Sequence, residues 1–238
     1  MSVLNINAIY RTTEGEGIHI GTPQVFVRFQ GCTIGCVNCD SKETWDFSGH
    51  LKTMNEVLEA VEKESVIVSE SGVKRRIQRV SITGGDPFHP KHESSVLELS
   101  RILKSKGYFV NVEAAGTRIV DQIFDIIDFV SFDVKTPSTG VKTSEKLLQR
   151  LIDQYASKSQ IKSVITDQKD FEYIYDLFFR LGQPQNIPWV LTPCYEPHEE
   201  FPKERFVAIL KWNEEFGSPF RVIGQQHKWI HGPSELNV

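Results

Sequence analysis

The sequence predicts an α/β protein with a mostly parallel sheet of six or seven strands. Three observations point there: short runs rich in β-branched and aromatic residues, helical spacing between most of them, and breaks at glycine such as Gly84-Gly85 and Gly107. Residues 24–30 (Gln-Val-Phe-Val-Arg-Phe-Gln) alternate and read as a strand. Residues 53–64 carry Val57, Leu58 and Val61 on one helical face. Residues 79–83 form a β-branched run before the glycine pair, and 96–106 form an amphipathic helix ended by Gly107. Residues 108–113 and 129–134 are strands, with a helical stretch at 120–127 between them. Helix is expected at 144–155, 170–181 and 204–216, and strand at 161–166, 189–192 and 220–223. The polar stretch 69–79, which holds Lys74-Arg75-Arg76, reads as an exposed loop. Strands separated by helices imply a parallel sheet with crossover connections. Six or seven strands are too few for a complete eight-stranded barrel, so an open or partial barrel and a doubly wound sheet both fit. With no repeat, low-complexity segment or linker, one domain over 1–238 is expected.

Composition narrows the function. The chain has 238 residues, and 27 Lys plus Arg against 31 Asp plus Glu give a net charge of −4, with no basic excess for nucleic acid. Hydrophobic residues at 39% and charged residues at 24% indicate a folded globular chain. No run of about 18 apolar residues is present, so no membrane span is expected. The first residues lack a charged-then-apolar leader pattern. A cytoplasmic protein with no nucleic-acid or membrane partner is expected.

Three of the four cysteines, Cys32, Cys36 and Cys39, lie directly after the 24–30 strand, and Cys194 is far away. An odd cluster cannot close on itself as disulfides, and cytosolic thiols are kept reduced, so a metal centre is the better reading. Structural zinc takes four ligands, and iron–sulfur clusters normally take four cysteines. A three-cysteine 4Fe-4S cluster leaves one iron open for catalysis. The alternatives are zinc completed by His50 or His19, and three unrelated buried thiols. Cys194 reads as a small core residue, Trp45 and Phe47 as core or loop anchors, and His19, His50, His89 and His92 as exposed loop residues.

The C-x3-C-x2-C triplet at a strand end resembles the radical S-adenosylmethionine superfamily. The resemblance implies an open, partial β/α barrel. It also implies a cluster whose open iron binds the amino and carboxylate groups of S-adenosylmethionine and passes an electron that cleaves the sulfonium to methionine and a 5′-deoxyadenosyl radical. Ser81-Ile-Thr-Gly-Gly-Asp-Pro87 is similar to the superfamily's Gly-Gly-Glu-Pro, which holds the cofactor's amino group. Asp86 replaces Glu there, so the backbone role of Gly84 and Gly85 carries over better than a side-chain role. Glu113, in Asn-Val-Glu-Ala-Ala-Gly-Thr, resembles the Glu-Thr-x-Gly-Thr motif. Asp133 and Lys135 fall where the superfamily has a cofactor-touching Ser-x-Lys. Asn38 and Asp40 flank Cys39 on the cofactor side, and Asn38 stands at a usually aromatic position.

Glu14-Gly15-Glu16-Gly17, the run from Gly21 through Arg28 to Cys32, Asp40-Ser41 through Trp45, and Gln225-Gln-His227-Lys228 together resemble the 7-carboxy-7-deazaguanine synthases, from about residue 6 to about residue 230. The resemblance implies conversion of 6-carboxy-5,6,7,8-tetrahydropterin to 7-carboxy-7-deazaguanine with loss of ammonia, assisted by Mg²⁺. Thr13, Glu14, Gly15 and Glu16 fall on the pterin-binding segment, with Glu14 in place of Gln. Arg28 falls on a substrate-binding arginine suited to a planar, bidentate grip on a carboxylate. Thr83 and His227 fall on substrate contacts. Ser41 replaces a threonine that gives Mg²⁺ a hard oxygen ligand. A flavodoxin-like electron donor and a homodimer are implied in the same way, and Lys74-Arg75-Arg76 offers a charged docking patch for such a donor. Two other readings of the triplet are an activating enzyme that makes a glycyl radical on a partner protein, and a non-catalytic zinc or iron–sulfur binding module.

Overall fold

The alternating runs become strands and the amphipathic runs become helices in a computed structural model that describes residues 3–238. The strands are β1 (Val3–Thr13), β2 (Pro23–Phe29), β3 (His50–Thr53), β4 (Val66–Val68), β5 (Lys74–Arg76), β6 (Arg79–Gly84), β7 (Phe109–Ala114), β8 (Phe129–Asp133), β9 (Ser159–Ile165), β10 (Trp189–Pro193) and β11 (Arg221–Val222). The helices are α1 (Met54–Ser65), α2 (Glu93–Ser105), α3 (Asp121–Phe124), α4 (Glu145–Tyr155), α5 (Gln168–Arg180), α6 (Lys203–Glu215) and α7 (Gln226–His231).

All seven expected strands are present, and they run parallel in the order β2-β6-β7-β8-β9-β10-β11. Antiparallel β1 and then β3 extend the β2 side, giving nine strands. The outermost strands, β11 and β3, do not pair with each other, so the barrel stays open. Among the described residues no helix is long and apolar enough to cross a membrane.

The two faces of the sheet differ in chemistry. Val27, Phe29, Ile82, Val112, Phe132 and Leu191 are fully buried and join the core with Val57, Leu99, Leu103, Leu148, Leu151 and Phe171 of the helices. Truncating one such residue, Phe132→Ala, costs about 3–5 kcal/mol in a core of this kind. Helix α1 starts on a reciprocal cap in which Glu56 N–H donates to Thr53 Oγ1 at 3.3 Å and Thr53 N–H donates to Glu56 Oε2 at 2.6 Å.

Four expectations change. The 69–79 stretch is part of a β4–β5 hairpin, because Val66, Ile67 and Val68 pair with Arg76, Arg75 and Lys74. The 120–127 helix shrinks to α3, four residues long, before a turn that returns to β8. Strand β1 escaped notice because Asn5 and Asn7 dilute its β-propensity, yet Leu4 and Ile6 between them are fully buried. His92 is buried rather than loop-exposed, and His19 is half-buried against Phe129 and Arg79.

Candidate active site

On its other face the sheet is polar. Gln24 and Arg28 of β2, Arg79, Ser81 and Thr83 of β6, Asn111 and Glu113 of β7, Ser131 and Asp133 of β8, and Gln160 and Lys162 of β9 share it. Hydrogen bonds run across the strands. Ser81 Oγ donates to Gln24 Oε1 at 2.6 Å, Asn111 Nδ2 donates to Ser81 Oγ and to Glu113 Oε1, both at 2.8 Å, and Gln160 Nε2 donates to Ser131 Oγ at 2.8 Å. Buried polar groups persist only when satisfied in this way, and this basin is where an ionic ligand can be held.

The cysteines sit where the parallel strands end. Cys32 N–H donates to Trp45 O at 3.0 Å, and Gly31 N–H donates to Thr44 O at 2.8 Å, which folds the 40–45 segment back on the loop. Trp45 Nε1 donates to Cys39 Sγ at 3.3 Å, and Ile34 N–H to Cys32 Sγ at 3.5 Å. All four cysteines are free. Burial pushes the Cys32 and Cys36 thiols up, and each thiol also senses its neighbours. Three free thiols on one short loop suit a 4Fe-4S cluster, whose positive irons would hold them as thiolates. Among the described residues no histidine joins the thiols: His50 lies exposed in β3, and His19 lies beside Phe109 and Phe129. The zinc reading therefore lacks its fourth ligand.

The glycine pair is explained by close approach. Gly84 has φ 138°, and a Cβ there would collide with the Phe29 backbone. Gly85 N–H donates to Phe29 O and Asp86 N–H to Gly31 O, both at 3.1 Å, so the turn is tied to the loop that carries Cys32. Asp86 points into its own turn, where Oδ1 accepts from Phe88 N–H at 3.0 Å, and burial pushes its carboxyl up. Buried His92 places its ring nitrogens on Asp86 O (2.9 Å) and Gln30 O (3.0 Å), cross-tying the turn to the end of β2. At the end of β8, Lys135 Nζ pairs with Asp133 Oδ2 at 2.6 Å. Burial disfavours the ammonium, but Asp133 outweighs it and pushes Lys135 up to about 12. The buried atoms Asn38 Nδ2, Asp133 Oδ1 and Arg28 Nε have no protein partner. S-adenosylmethionine, rich in donors and acceptors, fits such orphaned groups.

The 14–16 segment enters the basin after β1. Glu14 Oε2 accepts from Gln24 Nε2 at 2.8 Å and Oε1 from Glu16 N–H at 3.3 Å. Burial, and then Glu113, push its carboxyl up to about 7. Glu16 pairs with Lys162 at 2.6 Å and accepts from Gln225 Nε2 at 2.7 Å. Desolvation opposes its charge, but Lys162 and then His227 outweigh it and hold the carboxyl well below the usual range. Gly15 lies so close to the His227 ring that a Cβ would strike Nδ1. Gln226 N–H donates to Gly15 O at 2.9 Å, so α7 closes on this segment. Burial pushes the His227 imidazole down. Thr13, by contrast, is exposed and pairs with Pro23, at the end of β2 far from Cys32.

Arg28 and Thr83 are register neighbours on β2 and β6. Arg28 Nη2 donates to Tyr10 Oη at 2.8 Å and Nη1 to Ser41 Oγ at 3.2 Å, while Ser41 Oγ donates to Asp40 Oδ1 at 3.1 Å. Desolvation works against the Asp40 charge, but Lys228 at 3.6 Å, together with Arg28 and His227, holds the carboxyl low. Glu16, Asp40 and His227 bring ligand atoms within 4.8 Å of one another. Because Lys162 and Lys228 already face the two carboxylates, the trio is a balanced ion-pair network. Ser41 Oγ and Asp40 Oδ1 are the hard oxygens suited to Mg²⁺.

Sequence reading missed Tyr10 and Lys162, and it singled out the block at 225–228 while giving a role only to His227. Lys162 looks like the solvated half of an alternating strand until β9 is placed beside Asp133 of β8. Lys74-Arg75-Arg76 lies before the start of β6, about 20 Å (one strand length) from the cysteine end. That position separates it from any electron entering at the cysteines. Two grooves of about 450 and 460 Å³, one along α6 and one beneath this hairpin, contain none of the expected site residues.

Comparison with known proteins agrees with this geometry. The family described as a 4Fe-4S single cluster domain matches residues 13–123. The 7-carboxy-7-deazaguanine synthase of Aquifex aeolicus is 30% identical over 237 residues, 95% of this chain and 93% of that one. The Escherichia coli synthase is 30% identical over 206 residues, 79% of this chain and 83% of that one. Among solved structures, QueE from Escherichia coli superposes with a TM-score of 0.69 at 22% identity, over 94% of this chain and 95% of that one. Streptococcus suis SuiB shares the fold at a TM-score of 0.54 and 13% identity, over 87% of this chain and 50% of that one. The chain belongs to the 7-carboxy-7-deazaguanine synthase family, whose members are radical S-adenosylmethionine proteins with a 4Fe-4S cluster.

Proposed function

We propose that the chain, acting as one domain in the cytoplasm, converts 6-carboxy-5,6,7,8-tetrahydropterin to 7-carboxy-7-deazaguanine and ammonia, a carbon–nitrogen lyase reaction. One observation carries this: Arg28 reaches Ser41, Ser41 bonds Asp40, and Asp40 meets Glu16 and His227 beside the cysteine loop. That basin offers a guanidinium for a carboxylate and acceptors for the N–H groups of a pterin. When bound, the cluster and S-adenosylmethionine supply the radical that removes hydrogen from C6 of the pterin. Cys32, Cys36 and Cys39 hold the cluster. Asn38, Asp40, the Gly84-Gly85-Asp86 backbone, Glu113, Asp133 and Lys135 hold S-adenosylmethionine.

On the substrate, Arg28 grips the carboxylate, Thr83, Glu14, Glu16 and His227 fix the ring, and Gly15 leaves room for His227. Moving Arg28 onto that carboxylate would free Ser41 Oγ, a hard oxygen that would hold Mg²⁺. A flavodoxin-like donor delivers the electron at the cysteine loop, where Val37 is 67% exposed. The assembly is a homodimer, in keeping with exposed Val207, Leu210 and Phe216 on and just after α6.

The test is anaerobic turnover of reconstituted protein with the carboxy-tetrahydropterin, with and without Mg²⁺. A deazaguanine chromophore that grows faster with Mg²⁺ is the expected result. Reduced protein that cleaves S-adenosylmethionine yet forms no deazaguanine overturns the reading.

A further inference from the structure

Lys162 stands at the middle of β9, opposite Asp133 of β8 in register, with its side chain on the polar face. Its ammonium lies 2.6 Å from Glu16 Oε2 and 3.5 Å from Glu113 Oε2. All three side chains are largely shielded, with exposures of 13%, 15% and 18% for Lys162, Glu16 and Glu113. The two carboxylates belong to different parts of the basin. Glu16 comes from the segment after β1, and its other partner, Gln225, leads to α7. Glu113 comes from β7, and its other partner, Asn111, leads through Ser81 to β6.

We infer that Lys162 is a positioning residue, a shared counter-ion through which the pterin and S-adenosylmethionine tighten each other's binding. The inference rests on the proposed assignment of Glu16 to the pterin and Glu113 to S-adenosylmethionine. A lysine ammonium has three donors and no acceptor, so its charge divides between the carboxylates that face it. S-adenosylmethionine brings a sulfonium. When its positive charge offsets that of Glu113, Lys162 turns wholly to Glu16 and fixes that carboxylate in one orientation for the pterin N–H groups. In a shielded site such redistribution is little screened. Coupling between two ligands is reciprocal, so a pterin that orders Glu16 strengthens the cofactor in equal measure.

The experiment uses anaerobically reconstituted full-length protein with its cluster left oxidised, so that no turnover occurs. 6-Carboxy-5,6,7,8-tetrahydropterin is titrated calorimetrically with and without saturating S-adenosylmethionine. The cofactor is expected to lower the pterin Kd about fivefold or more in the unaltered protein, and the factor should fall to about one in Lys162→Gln and persist in Lys162→Arg. A merely structural lysine would weaken both titrations and leave their ratio unchanged. Equal pterin Kd values with and without cofactor in the unaltered protein, or an undiminished ratio in Lys162→Gln, overturn the inference. Absence of any pterin binding to the unaltered protein instead removes the proposed function itself. Should Lys162→Gln fail to load a cluster, the double variant Lys162→Gln/Glu113→Gln removes the cation together with one carboxylate. It too must give a ratio near one, and a ratio like that of the unaltered protein sinks the idea.

Discussion

Replacing Glu14 by Gln should change stability in opposite directions at low and high pH. Glu14 is buried, and its carboxyl is pushed up from an ordinary value of 4.5 to about 7. Between those values the folded chain holds a proton that the unfolded chain has released. Stability from this site is therefore fully present below about 4.5 and is lost as pH rises through about 7. A gap of this size corresponds to about 3 kcal/mol of stability lost by pH 8. Glutamine does not titrate. It can keep the 2.8 Å bond from Gln24 with its oxygen, but its amide nitrogen then faces Glu16 N–H in place of the 3.3 Å bond. Losing that long bond costs about 1 kcal/mol. Glu14→Gln is accordingly expected to be about 1 kcal/mol less stable at pH 4 and about 2 kcal/mol more stable at pH 8. Near a chain of this length, the latter raises Tm by about 4–8 °C. Urea unfolding of the cluster-free, reduced protein at both pH values measures the difference. A stability difference that stays constant between pH 4 and pH 8 would refute the reasoning.

Three further outcomes follow from the geometry. Gly84→Ala forces a Cβ into the Phe29 backbone at φ 138°, so it should lose at least about 2 kcal/mol in urea unfolding and bind less iron per chain; unchanged unfolding and iron content would contradict the close approach. Trp45→Phe removes the N–H donor to Cys39 Sγ and should lower the cluster's midpoint potential by about 40 mV, the one-electron equivalent of a hydrogen bond of about 1 kcal/mol. A redox titration followed by electron paramagnetic resonance reads this, and an unshifted midpoint counts against the contact. Reversing the charges of Lys74, Arg75 and Arg76 to Glu should leave the rate of flavodoxin-driven cluster reduction within about twofold, because the hairpin lies at the far end of the strands; a loss that added salt mimics would relocate the docking face.

The parallel strands are visible in the sequence because burial on the helix side leaves β-branched runs such as 79–83, closed by glycines that cannot be mistaken for continuation. The cysteine loop is equally legible, since its three ligands fall within eight positions. Other elements carry no such local signature. Strand β3 has four residues, and hairpin β4–β5 is largely exposed, so no hydrophobic period marks either. The polar basin is hidden for a different reason. Lys162 and Glu16 are 146 positions apart, and Gln225 and Glu16 are 209 apart. A pattern search along the chain sees each as one more charged residue on an alternating strand or loop. Only the strand order makes them neighbours. The Glu14 departure from Gln was legible as a change of side chain, but its consequence for protonation depends on burial beside Gln24 and Glu113.

The bond from Gln225 to Glu16 sets a limit on when the basin can exist during synthesis. A ribosome adding about 5–20 residues per second exposes Glu16 roughly 10 to 40 s before Gln225 emerges. For most of that interval the three thiols are already outside the exit tunnel, while the wall made by residues 225–228 is still missing. A nascent chain can therefore fold its sheet early, but it has no finished chamber in which a pterin could be held until residues 225–228 have emerged.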